Sequence, residues 1–116
     1  MQTRTFTFIE DTIDSIIHCI FHKNSKNDIF NIGSNKHEEI TILDLASIIW
    51  KMINKTEKPK IKFIPYNTFG RYEDVMRRVP DISKAVSAFN FEPKWSLENG
   101  LLKTIEWRFR LPSDSI

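Results

Sequence analysis

In residues 3–21, TRTFTFIEDTIDSIIHCIF, the side-chain pattern changes from the period of a strand to that of a helix, and this change decides the fold. Side chains alternate over Thr3–Ile9, which predicts a short strand. Asp11 is a favourable helix N-cap, and apolar side chains recur after it at helical spacing as far as Phe21, which predicts an amphipathic helix with one face packed inward. A strand followed directly by such a helix is typical of an α/β fold.

The same two periods recur further along the chain. Ile29–Ile32 is a short apolar run stopped by a Gly-Ser turn, which favours a buried strand. Thr41 and Asp44 have the spacing of a capping box, so a second amphipathic helix is predicted from this point to about Asn54. Lys60–Ile64 lies between two prolines and predicts a further strand.

Two more helices complete the predicted architecture. Pro80 and Asp81 start a short third helix, and Ser96 starts a fourth, which Pro112 ends. The sequence therefore predicts one α/β domain over residues 1–116, a small mixed domain of about four helices and three short strands. Because a short, mostly apolar strand such as Ile29–Ile32 normally has neighbours on both sides, we expect part of a larger α/β enzyme, with a complete small α+β domain as the alternative.

Composition and charge bound the function. Apolar residues make up 41% and charged residues 28%, as in soluble globular proteins. The 17 basic and 15 acidic residues are interspersed, which argues against nucleic acid or a membrane surface as a partner. The single Cys19 and the absence of a signal-peptide pattern predict a reducing, cytoplasmic setting. His18 and His22 are i, i+4 but no motif places a third ligand, so no metal site is expected.

Several sequence blocks occur in a fixed order: QTRTF at 2–6 with IED at 9–11, FNIG at 30–33, TILDLA at 41–46, RRVPDISKA at 77–85, FEPK at 91–94, and LENGL at 97–101 leading to Trp107. In this order and spacing the chain resembles the extended short-chain dehydrogenase/reductases, which include NAD-dependent nucleotide-sugar epimerases, dehydratases and decarboxylases. YEDV at 72–75, with Arg78 and Pro80, is similar to UDP-glucuronate decarboxylases, and related UDP-glucose 4-epimerase-like enzymes carry similar sequences.

The resemblance implies a two-part enzyme. Its N-terminal Rossmann domain holds NAD, and its smaller C-terminal part, to which this chain corresponds, clamps the diphosphate of the sugar nucleotide. The first part carries a Gly-rich turn and a Tyr-x-x-x-Lys pair. Here the three glycines cannot form G-x-G-x-x-G, and Tyr66 and Tyr72 are followed four positions later by Gly70 and Met76. We therefore expect no cofactor-binding or catalytic residues in this chain, which would not be catalytically competent alone.

The expected substrate-binding residues are Arg4, Arg78 and Tyr72. A UDP- or dTDP-type sugar carries two negative phosphoryl groups, and a guanidinium presents paired donors that suit phosphate oxygens. The resemblance implies that both arginines contact the diphosphate at one shallow anion site, and that Tyr72 contacts the substrate. Each of these residues has an alternative role. Arg4 would face the solvent, Arg78 would be a surface charge, and Tyr72 would be a packed loop aromatic. For Arg77 the surface-charge role is the preferred one.

Three functions stay open at this point. The chain is the substrate-binding portion of a nucleotide-sugar enzyme, a standalone non-catalytic module that binds a sugar nucleotide or a protein, or a structural domain whose site has decayed. The first function requires a partner, either a Rossmann domain or a second copy of the chain. It also predicts that the helix over Asp11–Phe21 and the segment Ile29–Ile32 expose apolar surface where a Rossmann domain packs.

Overall fold

The computed structural model describes residues 1–54, 56–65, 68, 70 and 75–110, which form a small α/β unit. Single turns of 3-10 helix occur at Lys23–Ser25 and Lys36–Glu38. The other elements are the strands β1 (Thr3–Arg4), β2 (Ile40–Thr41) and β3 (Arg77–Arg78) and the helices α1 (Ile9–Phe21), α2 (Ile42–Ile53), α3 (Ser83–Phe89) and α4 (Leu97–Arg110). The predicted class, four helices with three short strands, is confirmed.

The sheet is mixed, with strand order β2-β1-β3. The central strand β1 runs antiparallel to β2 and parallel to β3. Backbone bonds continue the pairing beyond the strands, since the Thr3 amide donates to the Met76 carbonyl at 2.9 Å and the Ile42 amide donates to the Gln2 carbonyl at 3.2 Å. The strand at the start of the chain therefore lies between two segments that are far from it in sequence.

The positions of two predicted strands are wrong. Ile29–Ile32 and Lys60–Ile64 form no strand with the described residues, and the strand predicted over residues 3–9 is paired only at its first two positions. A strand requires a hydrogen-bonded neighbour as well as a suitable pattern. Phe30 and Ile32 instead pack against the apolar core, whereas Ile29 is 85% exposed.

The capping box predicted for α2 is confirmed. Thr41 Oγ1 accepts a hydrogen bond from the Asp44 amide at 3.0 Å and donates one to the Asp44 carboxylate at 2.6 Å. The fourth helix also begins as predicted, because Ser96 Oγ accepts from the Asn99 amide at 3.3 Å. These local signals work because each cap satisfies amides that have no partner inside their own helix.

Replacing the α2 cap should lower stability by a small, measurable amount. We expect Thr41→Ala to cost about 1 kcal/mol in the free energy of unfolding, because the Asp44 amide loses its acceptor. Urea denaturation followed by circular dichroism measures the change. The control is Thr56→Ala, which removes an exposed hydroxyl bonded to Asn54 at 3.2 Å outside any helix. Equal destabilisation by the two variants would contradict the capping role.

Asp11 does not cap α1 as predicted. The helix begins at Ile9, with Phe8 as its N-cap residue, so Asp11 lies inside the first turn and is 2% exposed. Its two carboxylate oxygens accept from the backbone amides of Lys94 at 2.9 Å and Trp95 at 3.2 Å. The side chain thus links α1 to the segment that leads into α4, because a buried carboxylate must find donors wherever the fold supplies them.

The apolar core of the described part is small. Ala85, Phe89 and Phe91 are buried, and the partly buried side chains around them are Cys19, Phe30, Ile32, Ile82 and Ala88. Cys19 therefore has the predicted role of a small side chain packed against apolar neighbours.

The helix α1 exposes its apolar face and buries a polar one. Its two fully buried side chains are Asp11 and Ser15. Six apolar side chains on α1 are 47–82% exposed: Ile9, Ile13, Ile16, Ile17, Ile20 and Phe21. We call these six residues the isoleucine face. The prediction that this helix packs its apolar face inward is therefore wrong within the described part of the chain, and the predicted exposure of apolar surface on it is confirmed.

Candidate anion-binding site

The pairing of β1 with β3 brings Arg4 beside Arg78. In the parallel register, Arg4 lies opposite Arg78 and Thr3 lies opposite Arg77. Neighbouring strands are about 4.8 Å apart, and side chains alternate between the two faces of a sheet. Arg4 and Arg78 therefore share one face, and Thr3 and Arg77 share the other. The two predicted phosphate ligands, 74 positions apart in the chain, are adjacent in the fold.

The two arginines differ in their surroundings. Arg4 is partly buried, and its guanidinium donates a hydrogen bond to the Thr3 carbonyl oxygen at 2.7 Å. Arg78 is exposed. The arrangement suits a ligand with several negatively charged oxygens.

On the opposite face of the sheet, Arg77 makes a two-point ion pair with Glu39. Its Nε donates to Oε1 at 2.9 Å, and a terminal nitrogen donates to Oε2 at 2.8 Å. The Thr3 hydroxyl donates to the same carboxylate at 2.5 Å. These bonds, from Arg77 first and Thr3 second, hold the pKa of Glu39 below its usual value. The pair also raises the pKa of Arg77.

Arg77 is exposed, as the surface-charge interpretation expects, but it has a partner that the sequence did not indicate. It also borders a surface depression of about 650 Å³ lined by residues 35–37, 79–83 and 86. Asp81 lies in the same depression, where bonds from Ser83 and the charge of Lys36 lower the pKa of its carboxyl. Acidic groups thus offset the cations that border this depression.

The remaining site predictions have different outcomes. Tyr72 lies outside the described residues. Glu38, next to Glu39 in the chain, accepts a hydrogen bond from the Leu97 amide at 3.2 Å, at the start of α4. Among the described residues, no three His, Cys, Asp or Glu side chains are grouped to hold a metal ion. No helix in the described ranges is long and apolar enough to cross a membrane.

No family model matches the chain, but individual proteins do. It is 31% identical to the UDP-N-acetyl-alpha-D-glucosaminuronate decarboxylase of Bacillus cytotoxicus, over 97% of the chain and 34% of that protein. It is 35% identical to UDP-glucuronic acid decarboxylase 1 of Arabidopsis thaliana, over 90% of the chain and 22% of that protein.

A solved structure agrees with these matches. The Bordetella bronchiseptica enzyme WbmF, in complex with NAD+ and UDP, superposes with a TM-score of 0.68 and 32% identity, over 93% of this chain and 30% of that one. The chain is homologous to the C-terminal part of enzymes of the UDP-glucuronate decarboxylase and epimerase family, which are extended short-chain dehydrogenase/reductases. It therefore spans roughly a third or less of the length of these relatives.

Two of the three glycines lie close to other residues of the chain. A Cβ at Gly33 would lie 2.3 Å from Pro80 Cγ, and a Cβ at Gly100 would lie 3.2 Å from Phe8. Gly33 therefore allows Pro80 to pack directly against the backbone, and a side chain at position 100 would require Phe8 to shift slightly. Gly70 has a positive φ of 73° and open space around it, but no neighbouring glycine completes the dinucleotide fingerprint.

Proposed function

We propose that this chain is the sugar-nucleotide-binding portion of an NAD-dependent nucleotide-sugar epimerase, dehydratase or decarboxylase. In this proposal, Arg4 and Arg78 clamp the diphosphate of a UDP- or dTDP-type sugar. The register pairing of the two arginines on β1 and β3 is the observation that carries it. Guanidinium groups recognise phosphate oxygens through paired, charge-assisted hydrogen bonds, and two of them match the two phosphoryl groups of the ligand.

The relatives support this choice of ligand. Two decarboxylases that match the chain act on UDP sugars by name, and the solved enzyme WbmF is in complex with UDP. In the proposal Tyr72 adds a substrate contact, since the resemblance to decarboxylases includes that position. The proposal covers UDP- and dTDP-type nucleotides and does not specify the sugar.

We propose further that the isoleucine face packs against the NAD-binding, Rossmann-type part of the enzyme, in the same chain or another. A helix that buries Asp11 and Ser15 and exposes six large apolar side chains is inverted relative to a helix on the surface of a complete domain. This exposure favours the substrate-binding portion over a standalone module. The relatives, roughly three times longer than the matched region, have room for such a part.

The proposal assigns NAD binding and the chemical step to that other part. The chain has no Tyr-x-x-x-Lys pair for proton transfer at a sugar hydroxyl. Gly33 lies against Pro80, and Gly100 lies against Phe8. The residues present can bind and orient a diphosphate but hold no group suited to moving a hydride. A cytoplasmic location stays a prediction from the single cysteine.

A titration of the 116-residue chain with UDP tests the anion site. We expect UDP to shift the amide resonances of β1 and β3, and uridine, which lacks the phosphates, to leave them unchanged. Arg4→Ala and Arg78→Ala should each weaken UDP binding by roughly 10- to 150-fold, because each removes a charge-assisted hydrogen bond worth about 1.5 to 3 kcal/mol. NMR titration is suited to the weak affinity expected of a partial site.

Arg108→Ala is the matched control, since it removes the same charge from an exposed position on α4. It should weaken UDP binding less than threefold, by loss of long-range attraction alone. Equal effects of Arg108→Ala and Arg78→Ala, or equal binding of UDP and uridine, would contradict the proposed diphosphate site.

A further inference from the structure

Glu39 makes side-chain bonds to two of the three strands and directly precedes the third. Its carboxylate accepts from the Thr3 hydroxyl on β1 and from two nitrogens of Arg77 on β3. Glu39 itself directly precedes β2 (Ile40–Thr41), which pairs with the other edge of β1. One carboxylate therefore joins β1 to β3 and connects both to the chain that enters β2.

The residues that Glu39 joins are the register neighbours of the proposed phosphate ligands. Thr3 lies opposite Arg77, and the next pair in the same ladder is Arg4 opposite Arg78. The pairing of β1 with β3 extends over two residues of each strand, so the ladder itself contains few hydrogen bonds. A side-chain link at one pair therefore adds to the few contacts that keep the following pair in register.

We propose that Glu39 is a positioning residue for the diphosphate site. From the opposite face of the sheet, it holds β3 against β1, so that the guanidiniums of Arg4 and Arg78 stay side by side. The inference rests on the proposed function, because it assigns Glu39 a role in the binding of the same ligand. The side chain of Glu39 is 23% exposed and that of Arg77 is 61% exposed, so the link lies at the surface and can be changed without opening the core.

A positioning role and a purely electrostatic role of Glu39 predict opposite effects of Glu39→Gln on anion binding. Glu39→Gln removes a negative charge close to the site, so attraction of an anion by net charge alone would become stronger. The same substitution weakens the two-point contact with Arg77, so binding that depends on register would become weaker. Glu92→Gln is the matched control, because it removes an equal charge from an exposed position outside the sheet.

UDP titrations of the 116-residue chain and its variants distinguish these two roles of Glu39. We expect Glu39→Gln to bind UDP about tenfold more weakly than the parent chain and Glu92→Gln to bind it equally or slightly more tightly. Arg77→Lys keeps the charge but loses the paired donors, so it should also weaken binding by roughly tenfold. Arg108→Lys, on α4, is its control and should leave the affinity unchanged.

Hydrogen exchange at the Thr3 amide provides a readout that does not depend on UDP. This amide donates to the Met76 carbonyl across β1 and β3, so it should exchange faster in Glu39→Gln while the amides of α2 stay unchanged. UDP binding by the parent chain together with unchanged or tighter binding by Glu39→Gln and Arg77→Lys would overturn the inference and leave the diphosphate site standing. Failure of the parent chain to bind UDP would overturn both.

Discussion

We expect Asp11→Ala to lower the free energy of unfolding by about 3 to 5 kcal/mol, a large part of the stability of a small domain. Both oxygens of the buried carboxylate accept backbone amides, from Lys94 and Trp95. Hydrogen bonds to charged groups contribute about 1.5 to 3 kcal/mol each, and the substitution leaves two amides without an acceptor. Urea denaturation followed by circular dichroism measures the loss.

Asp14→Ala is a demanding control for this prediction. Asp14 lies one turn further along α1 and contacts the same residue, since its carboxylate pairs with the Lys94 ammonium at 3.1 Å. Both groups of that ion pair are well exposed, at 69% and 46%, so we expect a change below about 1 kcal/mol. Asp11→Asn should lie between the two, because its amide keeps one acceptor oxygen. Similar losses for Asp11→Ala and Asp14→Ala would refute the buried link.

The helices could be predicted from the sequence because their signals are local. Thr41 and Asp44 are three positions apart, and Ser96 caps an amide three positions ahead, so each cap can be recognised from a few residues. Strand positions depend on partners far away in the chain. β2 and β3 contain two residues each, too few to show alternation, and Ile29–Ile32 has a strand-like pattern but no partner strand among the described residues.

The candidate site was predictable to the extent that chemistry and family resemblance coincide. Arg4 and Arg78 were selected as phosphate ligands, and the structure places them in one register pair. The roles of Asp11 and Glu39 were not predictable, because an isolated acidic residue has no pattern that identifies its partner. Asp11 bonds to an amide 83 positions away, and Glu39 bonds to an arginine 38 positions away.

Substitutions on the isoleucine face are expected to have the second large effect, a loss of self-association. In the chain without a covering partner, we expect self-association through this face, and we expect Ile13→Glu combined with Ile17→Lys to weaken it by roughly 100-fold or more. These two side chains are 48% and 47% exposed and lie one helical turn apart. The paired substitution adds no net charge, and a Glu four positions before a Lys favours the helix, so folding should be preserved.

Sedimentation velocity over a range of concentrations measures the association, and Ile53→Lys is the control. Ile53 is 52% exposed at the end of α2, outside the isoleucine face, so its replacement should leave the association unchanged. The free energy of unfolding of the double variant, measured at a concentration where the chain is monomeric, should change by less than about 1 kcal/mol. A loss of several kcal/mol would mean that Ile13 and Ile17 already pack within the chain. A parent chain that stays monomeric at high concentration and binds no hydrophobic dye would show that the face needs no partner, which would contradict the proposed contact with a Rossmann-type domain.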